Sequence, residues 1–236
     1  MIERPQRAMV IFAHPDDEIG CAGTIASWTQ QGTEVAYVVC TNGNKGTEEM
    51  EVTPEHLAQT REREQRNAAA ALGVQEVIFL EHPDGELEDN REFRGELVRE
   101  IRRFRPQVIL THAPMNRSRH AHRDHRMVGT VTLDAVYPYI RDPWHYSELT
   151  KAGILPHKVG VVLLWGSESP DEFVDISNTL DIKVQAMLCH RSQFVERPSR
   201  DPNRDFGQGM REGAKRAGEP AGLPFAEAFQ KMEFRI

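Results

Sequence analysis

Residues 8–18 read Ala8-Met9-Val10-Ile11-Phe12-Ala13-His14-Pro15-Asp16-Asp17-Glu18, and this stretch decides the fold. Its first six residues are an uninterrupted apolar run. A strand with that pattern is buried on both faces, as in a parallel sheet covered by helices. The run ends abruptly in an imidazole and three carboxylates. A strand-to-helix turn that cradles a dinucleotide carries a G-x-G-x-x-G fingerprint. That fingerprint is absent here, and the turn instead repels phosphate and attracts a divalent cation.

Outward from this stretch the chain alternates strand and helix. A helix is expected over 18–31, with Asp16 or Asp17 able to cap it and Gly32 to stop it. A second strand follows at 34–40, then a polar loop at 41–53 holding Gly43 and Gly46. Pro54 opens a long helix ending near Leu72, with Gly73 as its stop. Strands at 77–80 and 108–111 flank a helix at 90–104, and another helix covers 124–135. This order implies right-handed crossovers and an α/β fold, a Rossmann-like three-layer sandwich with a mostly parallel sheet. A strand at 159–165 and a helix at 181–189 come later. Residues 137–158, with three prolines and no clear period, read as a loop or lid. Residues 197–222, rich in Arg, Gly, Pro and Asp, read as irregular. The whole, 1–236, is expected to be a single domain.

Composition narrows the function classes. The chain has 236 residues, a net charge of −7 and 39% hydrophobic residues. The acidic balance argues against nucleic acid or an anionic membrane as partner, because both want a basic face. No stretch approaches a membrane span and the N-terminus shows no signal peptide, so the expected location is the cytoplasm. Cys21, Cys40 and Cys189 have no metal-ligand spacing, and an odd count gives no disulfide framework. All three read as buried thiols.

A second motif lies over a hundred residues from the first. His122-Arg123-Asp124-His125 follows the fourth strand and opens a helix, so both imidazoles lie on one face. Both motifs follow parallel strands and therefore share the carboxyl rim of the sheet, where such sheets bind ligands. Together they supply two imidazoles and a carboxylate. That is the composition of a catalytic zinc site, in which three protein ligands leave one position open. A neighbouring carboxylate can accept a proton from water there, and a spare histidine can stabilise an oxyanion or protonate a leaving nitrogen.

The sequence resembles the PIG-L/LmbE-like family of N-deacetylases. The family's H-P-D-D-E stands here as residues 14–18 and its H-x-D-H as 122–125. Further similarity lies in 41–46 (TNGNKG), Arg61-x-x-Glu64, Asp84-Gly85 and His190-Arg191-Ser192-Gln193. The resemblance implies an LmbE-like fold and one Zn2+ per chain, or another divalent transition metal. Its ligands would be His14, Asp17 and His125. It implies Asp16 as general base and His122 at the oxyanion and leaving amine. Arg61 and Asp84 match positions that touch the sugar. His120 stands where some relatives carry a tyrosine, and Arg123 where proline is usual. The activity implied is removal of an acetyl group from an N-acetylated sugar, such as an N-acetylglucosamine derivative. A trimeric or hexameric homo-oligomer is implied as well. The alternatives are a metal-dependent hydrolase of another amide or ester, and a non-catalytic metal- or sugar-binding protein. Poised Asp16 speaks against the latter.

Overall fold

The computed structural model describes residues 2–115, 122–196 and 205–235. Seven strands form one sheet in the order β3-β2-β1-β4-β5-β7-β6. The strands are β1 (Arg7–Phe12), β2 (Glu34–Thr41), β3 (Glu76–His82), β4 (Val108–His112), β5 (Val161–Trp165), β6 (Glu172–Asp175) and β7 (Ala226–Glu233). The pairings β3·β2, β2·β1, β1·β4 and β4·β5 are parallel. β7 runs antiparallel between β5 and β6. Strand order reverses between β1 and β4, and this opens a crevice at their carboxyl ends.

Helices cover both faces. On one side α3 (Arg91–Phe104) and α4 (Arg123–Asp134) bury Phe93, Leu97, Ile101, Val128 and Val131 against Met9, Ile11 and Ile109. On the other, α1 (Ala22–Gln30), α2 (Pro54–Ala71), α6 (Leu180–Leu188) and α8 (Phe206–Gly218) pack on Val10, Phe12, Leu110 and Leu163. The alternate residues of β1 thus serve opposite cores, as its continuous apolar run requires. Caps follow the sequence: Thr53 accepts from the His56 amide with Pro54 behind it, and Asn90 accepts from the Phe93 amide.

The structure adds to three expectations. The segment 137–158, read as a loop or lid, packs against the body of the fold. Ile140, Tyr146 and Leu149 are buried beside α3, and α5 (Ser147–Lys151) interrupts the segment. Arg102 of α3, only 1% exposed, explains why it stays in place. Its guanidinium donates to the carbonyls of Tyr139, Ile140, Asp142 and His145 and to Thr150 Oγ1, at 2.8–3.3 Å. The segment 197–222 is not irregular throughout, because its described part holds α8. Asp205 caps that helix, and Met210, Ala214 and Gly218 form its buried face at a spacing of four. Its glycines mask this helical period in the sequence. Cys189 is half-buried, whereas Cys21 and Cys40 are core residues. Among the described residues, no helix is long and apolar enough to cross a membrane.

Candidate metal centre

Each chemistry-bearing residue sits just past a parallel strand. His14 follows β1, and the 3-10 turn Asp17–Gly20 continues from it. His112 ends β4, Trp165 ends β5, and Asp84 follows β3. α4 brings His122 and His125. This helix can approach β4 closely because residue 129 is glycine: a Cβ there would stand 2.5 Å from the His112 carbonyl oxygen.

The structure brings His14, Asp17 and His125 together. His14 Nδ1 lies 3.2 Å from Asp17 Oδ2 and 3.2 Å from His125 Nε2, and His125 Nε2 lies 3.1 Å from Asp17 Oδ1. Donors on a tetrahedral zinc with bonds of about 2.0–2.1 Å stand about 3.3 Å apart, which the two nitrogens match, while Asp17 meets each with a different oxygen. Among the described residues, the sets of mutually close donor atoms are His14 with His122 and His125, Asp17 with His112 and His125, and His14 with Asp84 and Asp124. The charge balance also fits a cation. Burial alone would lower the His14 pKa, but Asp124, Asp17 and Asp84 outweigh it and hold the ring well above its ordinary value. A proton therefore sits where carboxylates converge. Asp17 is likewise held well below the carboxylate range, its burial outweighed by His125 and His112.

Behind these atoms stands a second layer. His14 Nε2 lies 3.1 Å from Asp84 Oδ1 and 3.2 Å from Asp124 Oδ2. Fully buried Asp124 also accepts from the Gly85 and Leu87 amides. Such a carboxylate fixes which ring nitrogen faces a metal. Arg123 donates to the carbonyls of Gly85 and Leu87, so the residue replacing the usual proline tethers the same loop. Asp84, expected at the substrate, is 9% exposed, and its Oδ1 faces His14.

Arg61, the other expected sugar contact, packs against the turn after β1 and the 41–46 loop. It is 3% exposed and donates to the carbonyls of Gly43 and Pro15 and to Asp16 Oδ2 at 3.2 Å. The glycines of 41–46 make room for it. Gly43 has φ +63°, and a Cβ there would stand 2.4 Å from Arg61 Nη1. His120 lies outside the described residues.

Asp16 occupies the left-handed region with φ 104°. A non-glycine residue rarely persists there unless its surroundings over-determine it. Burial pushes its carboxyl up to about 6, with Asp17 adding to the rise and Arg61 and His190 opposing it. His122 is the N-cap of α4. Its Nδ1 accepts from the Asp124 amide at 3.2 Å, so the neutral ring carries its proton on Nε2. Burial and the nearby His14 charge lower its pKa. Its ring centroid is 4.7 Å from that of His14.

His112 is drawn further into the cluster than a neighbouring histidine needs to be. Its Nε2 lies 3.4 Å from Asp17 Oδ2, and its ring stacks on His125 at 4.2 Å. Burial pushes its pKa down to about 4, so it is neutral. Its place at the end of a buried strand, on the same rim as His14, is the signal that identifies it. A cavity of about 620 Å³ opens across Trp165 from the cluster, lined by Ile19, Phe206 and Met210 among others.

Residues 9–136 match the family model described as PIG-L: GlcNAc-PI de-N-acetylase. The diacetylchitobiose deacetylase of Thermococcus kodakarensis is 36% identical over 81% of this chain and 71% of its own length. The 1D-myo-inositol 2-acetamido-2-deoxy-alpha-D-glucopyranoside deacetylase of Mycobacterium sp. (strain JLS) is 29% identical, covering 84% and 78% respectively. Among solved structures, N,N'-diacetylchitobiose deacetylase from Pyrococcus horikoshii superposes with a TM-score of 0.90 at 29% identity. That match covers 97% of this chain and 84% of the other.

Proposed function

The chain belongs to the PIG-L family of metal-dependent N-deacetylases, and from that premise we infer a zinc-dependent deacetylase of N-acetylglucosamine-containing sugars, with an N,N'-diacetylated disaccharide as first candidate. One observation carries the reading. His14 Nδ1 and His125 Nε2 lie 3.2 Å apart with the Asp17 carboxylate spanning them, one oxygen 3.2 Å from the first and the other 3.1 Å from the second, beside the half-buried Asp16 carboxylate whose pKa is pushed to about 6.

His14 Nδ1, His125 Nε2 and the Asp17 carboxylate would hold the zinc, with Asp84 and Asp124 orienting His14 from behind. When bound, the ion supplies Lewis acidity toward water and the acetamide carbonyl. Asp16 takes the proton of the attacking water. Its Oδ2 is engaged by Arg61, which leaves Oδ1 for that proton. A carboxyl tuned near 6 is deprotonated at neutral pH yet basic enough to accept it. As the carbonyl carbon becomes tetrahedral, His122 Nε2–H donates to the developing oxyanion. The C–N bond then breaks, the amine nitrogen takes the proton that Asp16 accepted from water, and acetate leaves with Asp16 again a carboxylate. Lowered basicity suits His122 to donating from the neutral ring.

The test is amine release from a panel of N-acetyl sugars, including N-acetylglucosamine and N,N'-diacetylchitobiose, with zinc supplied. Asp16→Ala is expected to retain zinc and lose nearly all turnover. An inert wild-type enzyme across the panel, or an Asp16→Ala protein of normal activity, would overturn the reading.

A further inference from the structure

Two stretches have no part in the chemistry above: Glu64-Gln65 of α2, and His190-Arg191-Ser192. The structure joins them behind Asp16. The Asp16 amide faces two side-chain acceptors, Gln65 Oε1 at 3.1 Å and Glu18 Oε2 at 3.2 Å. Glu18 Oε1 in turn receives Gln65 Nε2 at 2.7 Å and pairs with His190 Nε2 at 2.9 Å. Glu18, Gln65 and His190 are each 0% exposed. His190 precedes α7 (Arg191–Phe194), and that helix is fastened to α2 by Ser192, whose amide and hydroxyl both donate to Glu64 at 2.7–2.8 Å.

α2 therefore grips Asp16 twice with residues one turn apart. Arg61 holds its carboxylate and Gln65 its backbone. Asp17 is independent of this grip. Its amide donates to the His14 carbonyl, and its carboxylate accepts from the His14 amide at 2.7 Å. Arg61 holds the carbonyl end of the same peptide unit through Pro15 and the two acceptors hold its N–H end, so losing an acceptor loosens the residue and favours its leaving φ 104° for an unstrained conformation. That rotation would swing the carboxylate while the three proposed ligands stay in place.

We propose that Gln65, Glu18 and His190 are positioning residues that latch the Asp16 amide and so aim the general base. The proposal rests on the deacetylase reading for its kinetic consequence but not for its structural one. Two variants test it, each removing one of the two acceptors of the Asp16 amide: Gln65→Leu, which keeps volume, and Glu18→Leu, which serves if the first is insoluble. Zinc content, kcat and KM are measured on the holoenzyme, and a crystal structure reads φ at position 16. The expected result is full zinc, KM within about twofold, and kcat lower by about ten- to a hundredfold, as misaimed catalytic groups cost. Residue 16 should have left the left-handed region. Wild-type kcat, an unchanged φ, or loss of zinc together with kcat would each overturn the latch. If wild-type enzyme is inert on the sugar panel, the deacetylase reading fails, and the φ comparison still decides the latch.

Discussion

Replacing Asp16 with Asn should make the metal-free protein more stable while removing its activity. Burial holds the Asp16 carboxyl at about 6 against an ordinary 3.8. The folded state therefore binds this proton more tightly than the unfolded state does, and ionising Asp16 destabilises the fold. The penalty is absent below the unfolded pKa, grows as pH rises from 3.8 to about 6, and is constant above. A shift of this size corresponds to about 3 kcal/mol at pH 7 and above, and to about 0.5 kcal/mol near pH 4. Water reaching the 18% exposed side chain screens part of it, so the figure is a ceiling. Asn mimics the neutral acid and keeps an acceptor for Arg61, so the variant should not pay the penalty. Thermal unfolding of both proteins in chelator, from about pH 4 to pH 8, reads the gap. The variant should melt higher at pH 8 by up to roughly 6–12 °C for a chain of this length, and the difference should nearly close at pH 4. A gap independent of pH would refute the claim that buried charge sets it. A variant less stable at pH 8 than at pH 4, relative to wild type, would reverse its sign.

Other outcomes follow from the same geometry. In the active enzyme kcat/KM should fall about tenfold per pH unit once Asp16 becomes protonated. Arg61→Met, which removes a charge that lowers the Asp16 pKa, should move this acid limb to higher pH; a pH-rate profile with the limb unmoved would separate Arg61 from the base. His125→Ala should cost the chain its metal, and undiminished zinc by elemental analysis would remove His125 from the ligand set. Arg102→Met strips the donors from four carbonyls and a hydroxyl, which at about 0.5–1 kcal/mol apiece should lower stability by roughly 3–5 kcal/mol. Urea denaturation would show whether the midpoint falls accordingly.

Much of this was visible in the sequence where local pattern and tertiary role coincide. The five parallel strands announce themselves by apolar runs, and the two histidine motifs by their place after them. β6 escapes detection because it is only four residues long and half-buried, and β7 because Glu227, Gln230 and Lys231 break up its apolar pattern. α8 is hidden by four glycines. In the site, residue types are legible but allegiance is not. Arg61 in a run of alternating charge reads as solvated surface or, by resemblance, as a sugar contact. Only the fold shows it turned inward to Pro15, Gly43 and Asp16. Glu18 and His190, 172 residues apart, give no sign of pairing until the helices carrying them are packed. Such links depend on where elements dock, which periodicity does not encode.

Arg102 carries a consequence for how this fold can vary. Four of its five partners are main-chain oxygens, so it recognises the path of the chain from 139 to 145 and not the identity of the residues along it. Side chains on the outer surface of that arc, such as Trp144 at 85% exposure, are released from any duty to hold it. The arc is thus a place where related enzymes can diversify, or where an engineer can graft new surface chemistry, while the arginine keeps α3 and the sheet beneath it undisturbed.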